Sequence, residues 1–331
     1  MDKKRDFEIY QGLHRQMRSR TDLEHKNNVI QTRILKLSSA QSQNFYWIIG
    51  STLINSGLFE KSLVPLKRAI IINPQNSKAH IDLISALLKL NKENEAFSSM
   101  KKALSLSPTA YNLQSFLVKT LEEQQKLHEI DSFCQEIANM IKDTESIPLF
   151  YYGIAESLVR CNHHLQALGC YKKAIEMKTK KDSHYHYQYA MALYHEGLFE
   201  EAIEQFEHVK RLDLGNKRAC NNIAFMYYCL GRVEKALEKY EVLIKDGLVE
   251  CATYSNVILV LHHLDKDEEV INMYKDLFLP FIQGNHSLLN MIYNEELRQA
   301  QLKLQSDIDE ETRGFYEKKL KGINLVLSFL N

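Results

Sequence analysis

A chain of 331 residues, 45% hydrophobic and 25% charged, has the profile of an ordinary folded protein. Its 12 Gly and 5 Pro are too few for a turn-rich β fold, and a formal net charge of +0 removes any bulk electrostatic case for nucleic acid. No apolar run reaches the roughly 18 residues that a membrane span needs.

Residues 1–42 are polar and mildly basic, with nine Lys/Arg against five Asp/Glu. The first charges are followed by no apolar stretch, so the segment does not read as a signal peptide. Leu23, Ile30, Ile34 and Leu37 share one helical face, with Thr21 or Asp22 as cap. The segment reads as a helical cap, or alternatively as a basic arm.

From residue 43 a pattern sets in. Residues 43–76 carry Tyr46, Ile49, Gly50, Leu53, Gly57, Leu66, Ala69 and Pro74. This spacing predicts two amphipathic helices brought close together at Gly50, with Pro65 inside the second, where it should bend it. Residues 77–110 repeat the pattern, and Pro108 follows Pro74 at 34 residues. Ile84 replaces the expected small residue, which predicts looser packing. Residues 111–147 keep an amphipathic pattern but lose the glycine and both small residues, so they read as a degenerate unit with a possible change of path at Lys142–Ser146.

Residues 148–284 are the regular half. Tyr189, Ala190, Leu193, Gly197, Ala202 and Phe206 recur 34 residues later as Ile223, Ala224, Tyr227, Gly231, Ala236 and Tyr240. Val257, Ile258, Leu261, Val270 and Tyr274 continue it more loosely. Residues 285–331 add a half-repeat and a last helix ending INLVLSFLN, a further cap or a surface for self-association.

No GxSxG, GxxxxGK[ST], GxGxxG or HExxH occurs, so an enzyme is not expected. His262-His263 lacks the spacing of three or four that puts two ligands on one helical face, and His163-His164 falls in a predicted turn, where a lone pair lacks further ligands. Neither a metal nor another cofactor is expected. The six cysteines contain no CxxC and no disulfide framework, which favours a reducing, cytoplasmic setting.

The fixed 34-residue period with alternating small and large positions resembles the tetratricopeptide repeat (TPR) family. The resemblance implies an all-α, right-handed superhelical solenoid of about seven helical hairpins with terminal caps. It also implies a groove lined by the first helix of each hairpin, whose sixth residue is often an asparagine that bonds the backbone of an extended peptide. That position falls on Gln188, Asn222, Asn256 and Asn290. The same face should present Tyr152, Tyr187, Met191, Tyr194, Arg218, Asn221, Phe225, Tyr228, Leu259 and Tyr293. The carboxylate clamp of TPR co-chaperones is incomplete, because Tyr187/Met191 and Asn221/Phe225 stand where Lys/Asn would be.

The expected role is a non-enzymatic adaptor or chaperone-type module holding an extended, not strongly acidic protein or peptide segment. The alternatives are a scaffold that self-associates through its last helix, or a peptide-sensing regulator. No nucleic acid and no membrane insertion are expected.

Overall fold

The computed structural model describes residues 39–178, 182–266, 269, 286–306 and 308–330. The expected cap over residues 21–37, the second helix of the unit at 251–284 and the side chain of Asn290 lie outside the described residues. Among those described there are fifteen α-helices and no strand. Six complete hairpins follow one another: α1 (Ser39–Asn55) with α2 (Phe59–Ile72), α3 (Ser77–Lys89) with α4 (Glu93–Leu106), α5 (Tyr111–Glu123) with α6 (Ile130–Met140), α7 (Ile147–Arg160) with α8 (His164–Met177), α9 (Ser183–His195) with α10 (Phe199–Leu212), and α11 (Lys217–Cys229) with α12 (Val233–Lys245). Then come α13 (Cys251–His263), α14 (His286–Gln305) and α15 (Glu310–Leu330). The first helix begins at Ser39, a turn earlier than the residue-43 boundary that the sequence suggested.

Why the chain turns where it does is local chemistry. Each first helix ends in a single residue of left-handed backbone: Gly57, Asn91, Gln125, Asn162, Gly197, Gly231 and Asp265, with φ from 57° to 74°. The next N–H then reaches back to a carbonyl five residues earlier, as from Leu198 to Leu193 and from Arg232 to Tyr227, both at 2.9 Å. This is the Schellman closure, which satisfies orphan helix-end carbonyls. The glycine absent from residues 111–147 is thus replaced by Gln125, and the degenerate unit keeps a helix on each side of the turn.

Helix starts are capped by side chains. Asn76 accepts from the Ala79 N–H and Asn216 from the Ala219 N–H, at 3.2 and 2.9 Å. Glu250 and Thr253 form a reciprocal capping box at the start of α13.

The chain divides into two compact units, residues 39–123 with 132–142, and residues 124–131 with 143–330, among those described. In the first, an added Cβ on Gly50 would overlap the Leu66 side chain, so the glycine sets the close approach of α1 and α2. Pro65 lies inside α2. Ile84 is fully buried at the small-residue position. In the second unit the small positions Ala155, Ala167, Ala190, Ala202, Ala224 and Ala236 are all 0% exposed. Phe206 and Tyr240 fill the space against them, which is the packing that the small/large alternation encodes.

Candidate functional site

The first helices of the second unit, α7, α9, α11 and α13, place the expected site residues in three groups. The first group is half-buried. The Tyr152 hydroxyl lies 2.7 Å from Nε2 of His184, and its ring packs 4.3 Å from that of Tyr185. Burial and the neighbouring Glu156 push the Tyr152 phenol well above its ordinary range, so it stays a neutral hydroxyl. One turn further on, Asn222 Nδ2 donates to the Tyr187 hydroxyl at 3.3 Å and approaches Sδ of Met191 at 3.6 Å. Gln188 is half-buried beside them on α9. Arg218 is exposed and 3.8 Å from Glu250.

Register explains the pair Tyr187–Asn222: the fifth residue of one repeat meets the sixth of the next, counting the repeats from 43, 77, 183 and 217. Trp47 and Asp82 in the first unit hold the same two positions and bond at 2.8 Å.

The second group meets the last two helices. The Tyr194 hydroxyl donates to Glu296 Oε1 of α14 at 2.5 Å, across 102 residues of chain. Glu296 Oε2 accepts from Nζ of Lys319 on α15 at 2.9 Å, with side chains only 16% and 7% exposed. Lys319 stands 5.5 Å above the Phe225 ring. Burial opposes the Lys319 charge, but Cys229 and Glu296 together more than offset it, and the ammonium sits above the ordinary lysine range. In the same place, burial pushes the Cys229 thiol up to about 12.

The third group is enclosed. Tyr228 is 0% exposed, its ring 5.5 Å from Phe315 of α15 and 5.6 Å from His263. Leu259 is 1% exposed and lies against Gly322, where an added Cβ would come within 2.9 Å of its Cδ2. Tyr293 of α14 is 2% exposed and donates to Asn256 Oδ1 at 3.0 Å. Asn221 is buried, with its Oδ1 lacking a hydrogen-bond partner.

So the sequence-derived face is real as a row of first helices, but it is not one open surface. Tyr228, Leu259 and Asn256 face the protein's own last hairpin, to which Tyr293 itself belongs, because those helices bring an apolar stripe that the face buries. Asn222 and Asn256 spend their amides on Tyr187 and Tyr293. The sequence reading missed Glu296, Phe315, Lys319 and Gly322. The spacing of Phe315, Lys319, Gly322 and Ile323, one helical stripe with a glycine in its middle, was the signal available. Two apolar residues of the tail, Ile323 and Leu327, pack within the chain, at 0% and 9% exposed. Among the described residues, no group of three potential metal ligands occurs, and no helix is long and apolar enough to cross a membrane.

Stacked helical hairpins with a shared register define a helical-repeat protein, a class whose units present extended binding surfaces. The tetratricopeptide repeat model matches residues 183–216, the α9–α10 hairpin. The α9–α10 hairpin is thus a tetratricopeptide repeat, carried within the longer array of helices. It is 21% identical over 194 residues, 57% of its length, to the TPR repeat-containing protein YpiA of Bacillus subtilis (strain 168). It spans 45% of the length of that relative. Among solved structures it is similar to YrrB, described as a TPR protein with an unusual peptide-binding site, at 23% identity over 54% of this chain and 91% of that one, with a TM-score of 0.32. It is also similar to MamA from Desulfovibrio magneticus RS-1, at 13% identity over 53% of this chain and 96% of that one, with a TM-score of 0.41.

Proposed function

We propose that the chain is a non-enzymatic adaptor that holds a protein segment on the first-helix face of its second unit, along the strip Tyr152, Tyr187, Gln188, Met191 and Asn222. What supports this reading is the state of those side chains: each is half-buried, carrying hydroxyl, amide or thioether groups on a face whose neighbouring portion already accommodates helices. Tyrosines offer large contact area at low entropic cost, and an amide offers donor and acceptor together. The strip is nearly neutral, with His184 and Arg218 at its edges, so the partner it suits is neither strongly acidic nor strongly basic.

The test is the double variant Gln188→Ala/Asn222→Ala. At about 0.5–1.5 kcal/mol per amide, its loss of partner affinity should be roughly tenfold. Quantitative capture from the source cells, compared between wild type and variant at equal helicity, reads this out. An unchanged set of captured proteins at unchanged yield would overturn the proposal.

A further inference from the structure

We propose that the α14–α15 hairpin is a displaceable intramolecular occupant of the first-helix face, and that the partner competing for this seat is an amphipathic helix with the α15 pattern: an aromatic residue, a lysine four positions on, then a glycine and a branched apolar residue at seven and eight. The inference rests on the adaptor reading above and names the kind of partner for the portion of the face beyond Tyr194.

The geometry of the last hairpin carries it. In a repeat stack each unit touches its neighbours, and a terminal cap covers the last one. Here the hairpin touches three successive first helices: α9 through Tyr194–Glu296, α11 through Tyr228–Phe315 and Lys319–Phe225, and α13 through Leu259–Gly322. It therefore runs along the face.

The seat is specific to a helix. Phe315 enters between Tyr228 and His263, its ring 5.5 and 5.1 Å from theirs. Lys319 reaches Glu296, and Lys318 reaches the His263 carbonyl and Asp265 at 3.3 and 3.0 Å. Gly322 is the point of closest approach, where any larger residue meets Leu259 and His262. These are positions i, i+4 and i+7 of one helical stripe, a pattern that an extended peptide with its two-residue alternation does not reproduce. The hold on the face is partly polar, through the Tyr194–Glu296 and Tyr293–Asn256 bonds and the Lys318–Asp265 pair, while the Glu296–Lys319 pair ties α14 to α15 so that both helices keep their seats; reversing one charge of that tie should release them.

The experiment uses the full chain. Lys319→Glu sets a second carboxylate against Glu296, and Glu296→Lys a second ammonium against Lys319; the swap Glu296→Lys/Lys319→Glu restores opposite charges. Two signals are read: site-resolved alkylation of Cys229, whose thiol lies beneath the hairpin, and anisotropy of a labelled synthetic peptide of residues 308–328. Each single reversal should raise both the Cys229 alkylation rate and the peptide affinity at least tenfold, since apparent affinity scales with the fraction of open face. The swap should return both towards wild type.

A second variant guards against misfolding. An ideal Cβ on Gly322 lies 3.8 Å from the Leu259 Cα, and Leu259→Cys removes the Cδ2 that it would meet at 2.9 Å, so Leu259→Cys/Gly322→Cys places two thiols at this contact for oxidation to lock the hairpin. The oxidised form should refuse the peptide and regain binding on reduction. Equal binding in both forms, or charge-reversed proteins that take the peptide no better than wild type, would overturn the proposal and leave the hairpin a fixed cap. The peptide signal does not involve Gln188 and is read without the native partner, so it can fail while the adaptor test succeeds, and the reverse.

Discussion

Lys319→Met asks how much the buried pair at the hairpin seat is worth. The substitution keeps the apolar stem and removes the charge. It strands the Glu296 carboxylate, 16% exposed, with the Tyr194 hydroxyl at 2.5 Å as its donor. Breaking a buried ion pair by deleting one partner typically costs about 3–5 kcal/mol, against about 0–1 for an exposed pair. The residual exposure of Glu296 and its remaining hydroxyl bond place this case at the lower end, about 3 kcal/mol. Glu296→Leu should cost about 2 kcal/mol, because Lys319 keeps the Phe225 face and some access to water. The double variant Lys319→Met/Glu296→Leu removes both charges and leaves only the Tyr194 hydroxyl short of a partner, at about 1–2 kcal/mol. The coupling across the cycle is then about 3 kcal/mol.

The single tryptophan, Trp47, lies in the first unit and is blind to this change. Amide hydrogen exchange of α11 and α15 is the suitable assay, and a 3 kcal/mol loss accelerates exchange there by roughly a hundredfold. A coupling below about 0.5 kcal/mol would mean that the pair behaves as a solvated surface contact, and the reasoning about the seat would be wrong.

Two other outcomes follow from the fold. Gln125→Gly relieves the one long side chain held at positive φ, 57°, among the described residues, and should raise stability by about 0.5–1 kcal/mol in urea unfolding followed by far-UV circular dichroism; a decrease would show that the Gln125 side chain contributes more than its backbone costs. His80 is 3% exposed and held below the ordinary imidazole range by burial, with Nε2 at 2.9 Å from the Pro74 carbonyl. A depressed folded pKa means the unfolded chain binds the extra proton, so this contribution is intact above about 6.5 and is lost as pH falls below it. Gln114 occupies the same register position and bonds the Pro108 carbonyl at 2.6 Å without titrating. His80→Gln should therefore keep the bond and flatten the fall in first-unit stability between pH 7 and 5, measured by thermal unfolding; an unaltered slope would assign the acid sensitivity elsewhere.

The local rules were legible in the chain itself. Periods of 34 residues, alanines opposite aromatics and Asn–Pro or glycine punctuation locate the hairpins, and the last two helices fall within a residue or two of their expected bounds. Gln125 was harder to read, because glycine is only the commonest answer to a left-handed turn; Asn91, Asn162 and Asp265 answer it as well. Hydrophobic periodicity within a helix depends on residues three and four apart, so it is written locally and survives without knowledge of the rest.

The residues of the proposed site depend on something the chain does not write locally. Register assigns Tyr228, Asn256 and Leu259 to the first-helix face, and they are on it. Whether that face meets solvent or another helix depends on where α14 and α15 come to lie, and the contact from Tyr194 to Glu296 joins residues 102 apart. Sequence fixes which way each side chain points along its own helix, because that follows from 3.6 residues per turn. Tertiary structure alone decides what it points at, because the apolar stripe of the last hairpin and that of the row of first helices are each incomplete, and burying one against the other removes both from water.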